Sequence, residues 1–260
     1  MTVYTDLFRY RELFGNLFRR DLQAKYKGSV LGIVWALVPP LVLMGVYVLV
    51  FSTLWKVSGA PHYPLYLLSG LAVWVFFSTS LQAGARSMLD ASALIRKSRF
   101  PRQLVAFSAV GTNLVPFVVM LVVLLVADFA FVPAARDTEW LAIPLAVVFV
   151  ALVAGVALVA ACLNVVFRDV EHVIGAVLLP WFFLTPVIWT KGQFGHPHVV
   201  SLLHWANVVT PPLEAIRNPL FWGRMPRLAD VVYLCVAAVV ALGLGAWVFS
   251  RVDDRIAVEL

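Results

Sequence analysis

Six long apolar stretches run through this sequence of 260 residues, at about 29–55, 64–84, 104–132, 140–165, 173–190 and 228–249. Four of them contain no Asp, Glu, Lys, Arg or His. The two ionisable residues in the others, Asp128 and Asp230, stand near a stretch's end. A charge at the bilayer centre costs at least ~2.5–3.5 kcal/mol, and a helix needs ~20 residues to cross the hydrocarbon. The pattern therefore predicts an all-α integral membrane protein with six transmembrane helices. Strands of a membrane barrel would alternate over ~10 residues, and these runs do not. The missing charge also bears on mechanism. Ion-coupled pumps carry carboxylates or histidines at mid-membrane, so energy for any transport is expected from outside the bilayer.

The chain is 62% hydrophobic and 13% charged, with mean hydropathy +0.91, against ~25% charged residues in a soluble domain. The division expected is an N-terminal segment, 1–28, followed by one membrane domain, 29–260. The first apolar run follows a charged segment and is too long for a signal core, so it reads as a retained first span. Residues 1–28 hold six Lys/Arg: Arg9, Arg11, Arg19, Arg20, Lys25 and Lys27. The loop 85–103 holds five: Arg86, Arg96, Lys97, Arg99 and Arg102. The loops 56–63 and 133–139 hold one each, Lys56 and Arg136. The positive-inside rule then places the N-terminus in the cytoplasm, and six spans return the C-terminus there with Arg251 and Arg255. The long outer segment 191–227 carries Lys191, Arg217, Arg224 and Arg227, a mild exception in a loop that weighs less in the rule. The net charge of +6 is thus explained by topology, without nucleic acid as a partner. Cys162 and Cys235 fall inside spans and read as small packing residues.

Residues 7–27 predict an interfacial amphipathic helix, with Tyr10, Leu13, Phe14, Leu17 and Phe18 on one face. It suits an anchor for the first span and a docking surface for a cytoplasmic partner, two compatible roles. Pro39 and Pro40 are expected to kink the first span. Tyr47, Phe51 and Trp55 form an aromatic stripe on it, for packing or for guiding a ligand. In the loop 85–103, Asp90 is a candidate N-cap and Pro101 a stop, with a helix at about 91–98 between them. Leu94 and Ile95 make an apolar tip among Arg96, Lys97, Arg99 and Arg102, which topology alone does not require. After Asn164, a compact turn brings Asp169 and Glu171 to the start of the fifth span, where carboxylates either cap the helix or meet a partner. The fifth span holds Pro180, Trp181, Pro186 and Trp189, and proline-broken helices often line pathways. The segments 199–207 and 213–222 are too short to cross and read as paired re-entrant or interfacial helices. Trp74, Ser78 and Gln82 share one face of the second span. They suit a hydrated path or hydrogen bonding between helices.

Several chemistries are missing. The sequence has no G-x-x-x-x-G-K-[ST] phosphate loop, no H-E-x-x-H and no C-x-x-C. His196 and His198, with His204 nearby, are a weak signal for metal. Glu214 and Arg217 read as an ordinary i, i+3 helix pair. No catalytic constellation emerges, and no metal site is assigned.

Tyr26-Lys27-Gly28-Ser29-Val30-Leu31-Gly32, with Trp35 and Pro39-Pro40-Leu41, resembles the first-span signature of the membrane subunits of ABC polysaccharide exporters. The run from Leu94 to Arg102 resembles their first cytoplasmic coupling loop. Asn164-Val165-Val166-Phe167-Arg168-Asp169-Val170, with the run from Trp181 to Trp189, resembles their fourth-to-fifth-span region. Asn218-Pro219-Leu220, Gly223 and Pro226 are similar to the outer segment before their sixth span. The resemblance implies a homodimeric permease of the bacterial cytoplasmic membrane, paired with two copies of a separate ATPase subunit that holds ATP and Mg. The chain itself would bind no cofactor and export an undecaprenyl-diphosphate-linked glycan. Leu94, Ile95, Arg96, Lys97, Arg99, Asp169 and Glu171 would then couple to the ATPase. Trp35, Tyr47, Phe51, Trp74, Ser78, Gln82, Trp181, Thr185 and Trp189 would border the translocation path, among membrane lipid. Two other readings stay open: a permease for drugs or small lipids, and a membrane enzyme acting on polyprenyl phosphates.

Overall fold

A computed structural model describes residues 3–28, 32–50, 62–97, 100–190 and 196–259. All the regular structure among them is helical. The N-terminal segment forms α1 (Thr5–Arg9) and α2 (Arg11–Tyr26), then a 3-10 turn at Gly32–Ala36 leads into α3 (Val38–Tyr47). Next come α4 (Tyr63–Asp90), α5 (Ser92–Lys97), α6 (Gln103–Phe131), α7 (Ala142–Val166) and α8 (Val170–Leu184). Two short helices, α9 (Pro197–Ala206) and α10 (Thr210–Leu220), precede the long α11 (Leu228–Glu259).

Among the described residues, four helical stretches are long and apolar enough to cross a membrane: Tyr63–Asp90, Gln103–Phe131, Glu139–Val166 and Leu228–Asp253. They form the body of the molecule. Helix α7 packs between α4 and α11, and α6 lies on α4. Lipid tails are as apolar as leucine, so close backbone approach at small residues must hold such a bundle. The contacts show this. A Cβ on Gly84 would stand 2.7 Å from the Cβ of Ala157, and one on Gly155 would stand 2.5 Å from the carbonyl carbon of Ala241. Around these seams, Phe76 stacks on Phe117 at 4.6 Å, and Leu67, Leu71, Phe77 and Leu152 are buried.

The first and fifth apolar stretches give shorter helical segments, Val38–Val50 and Val170–Leu184. The fifth breaks because Thr185 precedes Pro186. The proline ring pushes that residue out of the helical region, and Thr185 takes φ −93° and ψ 136°. Pro39 and Pro40 do not kink a helix. They stand in the first turn of α3, where a missing N–H costs nothing.

Three further expectations change. Helix α4 runs on to Asp90, its last residue, so Asp90 is not the N-cap of the next helix. The helix expected at 7–27 is interrupted at Tyr10. The apolar face of α2 also lies on protein: Leu17 is buried, and a Cβ on Gly111 of α6 would come 3.3 Å from Phe18. The short helices α9 and α10 fall where 199–207 and 213–222 were expected.

Candidate functional site

The bundle has a basic end, carrying α1, α2 and α5, and a far end, carrying α9 and α10. At the basic end, α5 hangs beneath α4. Ile95 is buried with Val3, Leu17, Met88 and Ala91, and Leu94 is half-buried against the same cluster. The expected apolar tip therefore faces inward. Arg96 and Lys97 are exposed, and Arg99 lies outside the described residues. Arg102 belongs to neither tip nor rim: it pairs with Asp253 of α11 at 2.8 Å.

The turn between α7 and α8 is stitched to α4. Asn164 is buried, and its Nδ2 donates to the carbonyl of Ala85 at 2.9 Å. Its Oδ1 accepts the backbone N–H of Glu171 at 3.0 Å. The Glu171 carboxylate in turn receives Arg86 Nε at 3.1 Å. Asp169 occupies the N-cap position of α8 but makes no capping bond through its side chain, and it is exposed. The capping expected of the carboxylates is done by Asn164 instead. A lone asparagine closing an apolar run was the available sign.

A cleft of about 530 Å³ opens between α2, α4 and α6. Arg20, Lys25, Gln82, Arg86, Asp90 and Asn113 contribute to its walls. Lys25 Nζ donates to Asn113 Oδ1 at 2.8 Å, and burial pushes the Lys25 ammonium below the usual lysine range. Asp21 accepts Ser108 Oγ at 2.8 Å and pairs with Arg20 at 2.7 Å. Thr79, Gln82, Arg86 and Asp90 make an exposed polar stripe along the half of α4 nearest the basic end. Hydrocarbon cannot solvate such a stripe, so it faces water or a polar ligand. Of the predicted face Trp74, Ser78 and Gln82, only Gln82 reaches this cleft. Ser78 bonds back to the carbonyl of Val75 at 3.3 Å, and Trp74 is buried between Phe182 at 5.5 Å and Trp181 at 6.4 Å.

At the far end, α8 gives way to an irregular turn. Trp181 Nε1 donates to Asn207 Oδ1 at 2.8 Å, and Asn207 Nδ2 donates to Thr185 Oγ1 at 2.8 Å. Thr185 is fully buried and donates to the carbonyl of Trp181 at 2.9 Å, so it lines no open path. Trp189 Nε1 donates to the carbonyl of Phe183 at 2.9 Å. Tyr47 stacks on Phe182 at 6.0 Å, Trp35 is exposed, and Phe51 and Trp55 lie outside the described residues.

The pairing of Arg217 with Glu214 survives at 3.7 Å but is secondary. Arg217 is 1% exposed, and its guanidinium donates to the carbonyls of Pro186 at 2.6 Å and Val187 at 3.4 Å. His204 meets Asp230 at 2.7 Å in the interior, away from the exposed His196 and His198. No group of three or more potential metal ligands forms among the described residues.

The sequence profile described as ABC-2 type transporter matches residues 12–221. The chain belongs to that family. Among similar proteins, the O-antigen export system permease protein RfbA of Myxococcus xanthus is 32% identical over 97% of this chain and 96% of its own length. A permease of the same name from Klebsiella pneumoniae is 26% identical over 92% of this chain and 91% of its own length. As an ABC-2 chain this is a multi-pass membrane transporter subunit rather than an enzyme, and membership implies partnership with an ABC ATPase subunit. The reading as an enzyme of polyprenyl phosphates ends there.

Proposed function

We propose that this chain is the permease of an ATP-driven exporter that moves an undecaprenyl-diphosphate-linked polysaccharide across the bacterial cytoplasmic membrane. The observation that carries the reading is the match to an O-antigen export permease along almost the whole of both chains. The exposed polar stripe on α4 and the cleft beside it fit a hydrated entrance for a glycan. In this reading the basic end is cytoplasmic, and Val38–Val50 and Val170–Leu184 complete six spans, with α9 and α10 re-entrant. Two copies of the chain pair across the exposed apolar faces of α3 and α8, where Val42, Val46, Val173 and Val177 stand. Two ATPase subunits hold ATP and Mg and seat against α2, α5 and the turn at Asp169.

The decisive experiment is reconstitution in liposomes with the partner ATPase. ATP-dependent movement of lipid-linked glycan is expected. Movement of small hydrophobic drugs instead, or of any cargo by this chain alone on an ion gradient, would overturn the reading.

The inward position of Ile95 sharpens the docking test. Arg96→Glu with Lys97→Glu reverses two exposed cations, and is expected to weaken ATPase co-purification at least ~10-fold while the melting temperature stays unchanged. Ile95→Asp places a charge in the buried cluster, and is expected to lower the melting temperature whether or not a partner is present.

A further inference from the structure

Burying a guanidinium within an apolar bundle is costly, and an ionisable group there marks a site with a task. Arg217 is the largest fully buried side chain among the described residues. Its helix, α10, is too short to cross the membrane, so the charge does not serve the span-forming role of its neighbours.

The surroundings are built to receive it. Arg217 Nε donates to Ser69 Oγ at 3.2 Å, and the Ser69 hydroxyl in turn donates a hydrogen bond to the carbonyl of Tyr66 at 2.7 Å. The guanidinium carbon sits 4.0 Å from the centre of the Tyr66 ring, a cation–π contact. A Cβ on Gly70 would overlap Nη2, so α4 carries a glycine where the cation presses against it. The other donors reach the carbonyls of Pro186 and Val187. The next two carbonyls are taken from α4: Tyr63 donates to Ile188 at 2.8 Å and Tyr66 to Trp189 at 2.7 Å. Four successive carbonyls of an irregular turn are thus each bonded by a side chain from another helix. Backbone inside a bilayer must be satisfied within the protein. Continuing α8 by one turn would do this with no charge at all. The fold instead breaks the helix and fixes the broken end.

We propose that Arg217 is a positioning residue for export: it clamps the turn 186–189 to α4, so that Trp181 and Trp189 hold the far end of the path at a fixed height. This rests on the exporter reading. Arginine suits the task because its rigid planar fork spreads its donors over acceptors on separate segments and lays a flat face on the Tyr66 ring, whereas a lysine ammonium gathers three donors on a single nitrogen.

The test needs a readout independent of transport. In a chain with Cys162→Ala and Cys235→Ala, Val187→Cys places a single thiol at a fully buried position of the turn. A membrane-impermeant maleimide is applied to vesicles of the assembled permease–ATPase complex. The parent thiol is expected to label slowly. Arg217→Met is expected to speed labelling at least ~10-fold, the scale of one lost charge-assisted hydrogen bond. It should also raise the ATP consumed per glycan exported by a similar factor, with membrane insertion and ATPase co-purification normal. Arg217→Lys is expected to behave like Arg217→Met, and Gly70→Ala, which crowds the cation from the opposite helix, to fall between them and the parent. Unchanged labelling in both Arg217→Met and Gly70→Ala would overturn the clamp. So would faster labelling with an unaltered ratio of ATP to glycan. A parent complex that exports no glycan overturns the exporter reading instead, and the labelling series then decides the clamp separately.

Discussion

Replacing Gly155 with alanine is expected to be the most damaging single-methyl change at the seam between α7 and α11. The new Cβ would stand 2.5 Å from the carbonyl carbon of Ala241, 2.6 Å from the nitrogen of Leu242 and 2.7 Å from the oxygen of Ala241. All three are backbone atoms of α11, so no rotamer change can relieve the overlap and the two helices must part. Overpacking of this kind costs about 1–3 kcal/mol, and backbone contact places Gly155 at the upper end. In a chain of this size that corresponds to a fall in melting temperature of roughly 6–12 °C. Gly175→Ala and Gly243→Ala supply the controls. Neither Cβ would meet anything within 4 Å, and alanine improves helix propensity by up to ~1 kcal/mol. Thermal melts of the three purified variants decide the matter. A Gly155→Ala protein that melts with the parent would mean that α7 and α11 do not pack as described.

Asn164→Ala is expected to be the second largest effect, and to differ in kind. The change removes a side-chain cap on the first turn of α8 and frees the N–H of Glu171 in a partly buried place. The loss expected is about 1–3 kcal/mol. Its functional consequence goes further, because Asn164 joins α4 to α8 at the point where Arg86 meets Glu171. Under the exporter reading proposed above, motion imposed on α5 would reach α8 by this joint. ATP hydrolysis by the assembled complex should continue while glycan export falls. Arg86→Glu tests the same joint with little thermodynamic cost, since exposed ion pairs contribute only ~0–1 kcal/mol, and adding Glu171→Arg should restore export. If the double reversal exports no better than the single one, the ion pair transmits nothing.

The long helices and the pair α9 and α10 were legible because hydrophobic length and periodicity are local properties of a chain. The early end of α8 was legible as well, through the Thr185–Pro186 step, but an apolar run extending to Thr190 obscured it. Ile95 misled for a different reason. An apolar residue among cations looks like a tip offered to a partner, yet α5 folds back beneath α4 and puts Ile95 in a buried cluster with Val3, Leu17 and Met88, and only the packing of distant segments shows it. Arg217 was furthest from reach. Its visible neighbour, Glu214, is three residues away, whereas Ser69 is 148 residues away and the carbonyls it bonds are about 30 away. Periodicity carries no information at that range. The cleft was half legible: Gln82 was marked by its face of α4, while Lys25 and Asn113 come from helices whose crossing no local pattern encodes.

Helix α8 has 15 residues, a rise of about 22 Å against a hydrocarbon thickness of ~30 Å. In the six-span arrangement proposed above, the surrounding bilayer or its water would make up roughly 8 Å on one side, where the hydrogen-bonded turn and the short helices sit. Solvent drawn down to those polar groups would form a local dimple. A sugar chain leaving beside α8 would be rehydrated before it cleared the lipid headgroups, and the dry stage of its journey would be shortened by about a quarter.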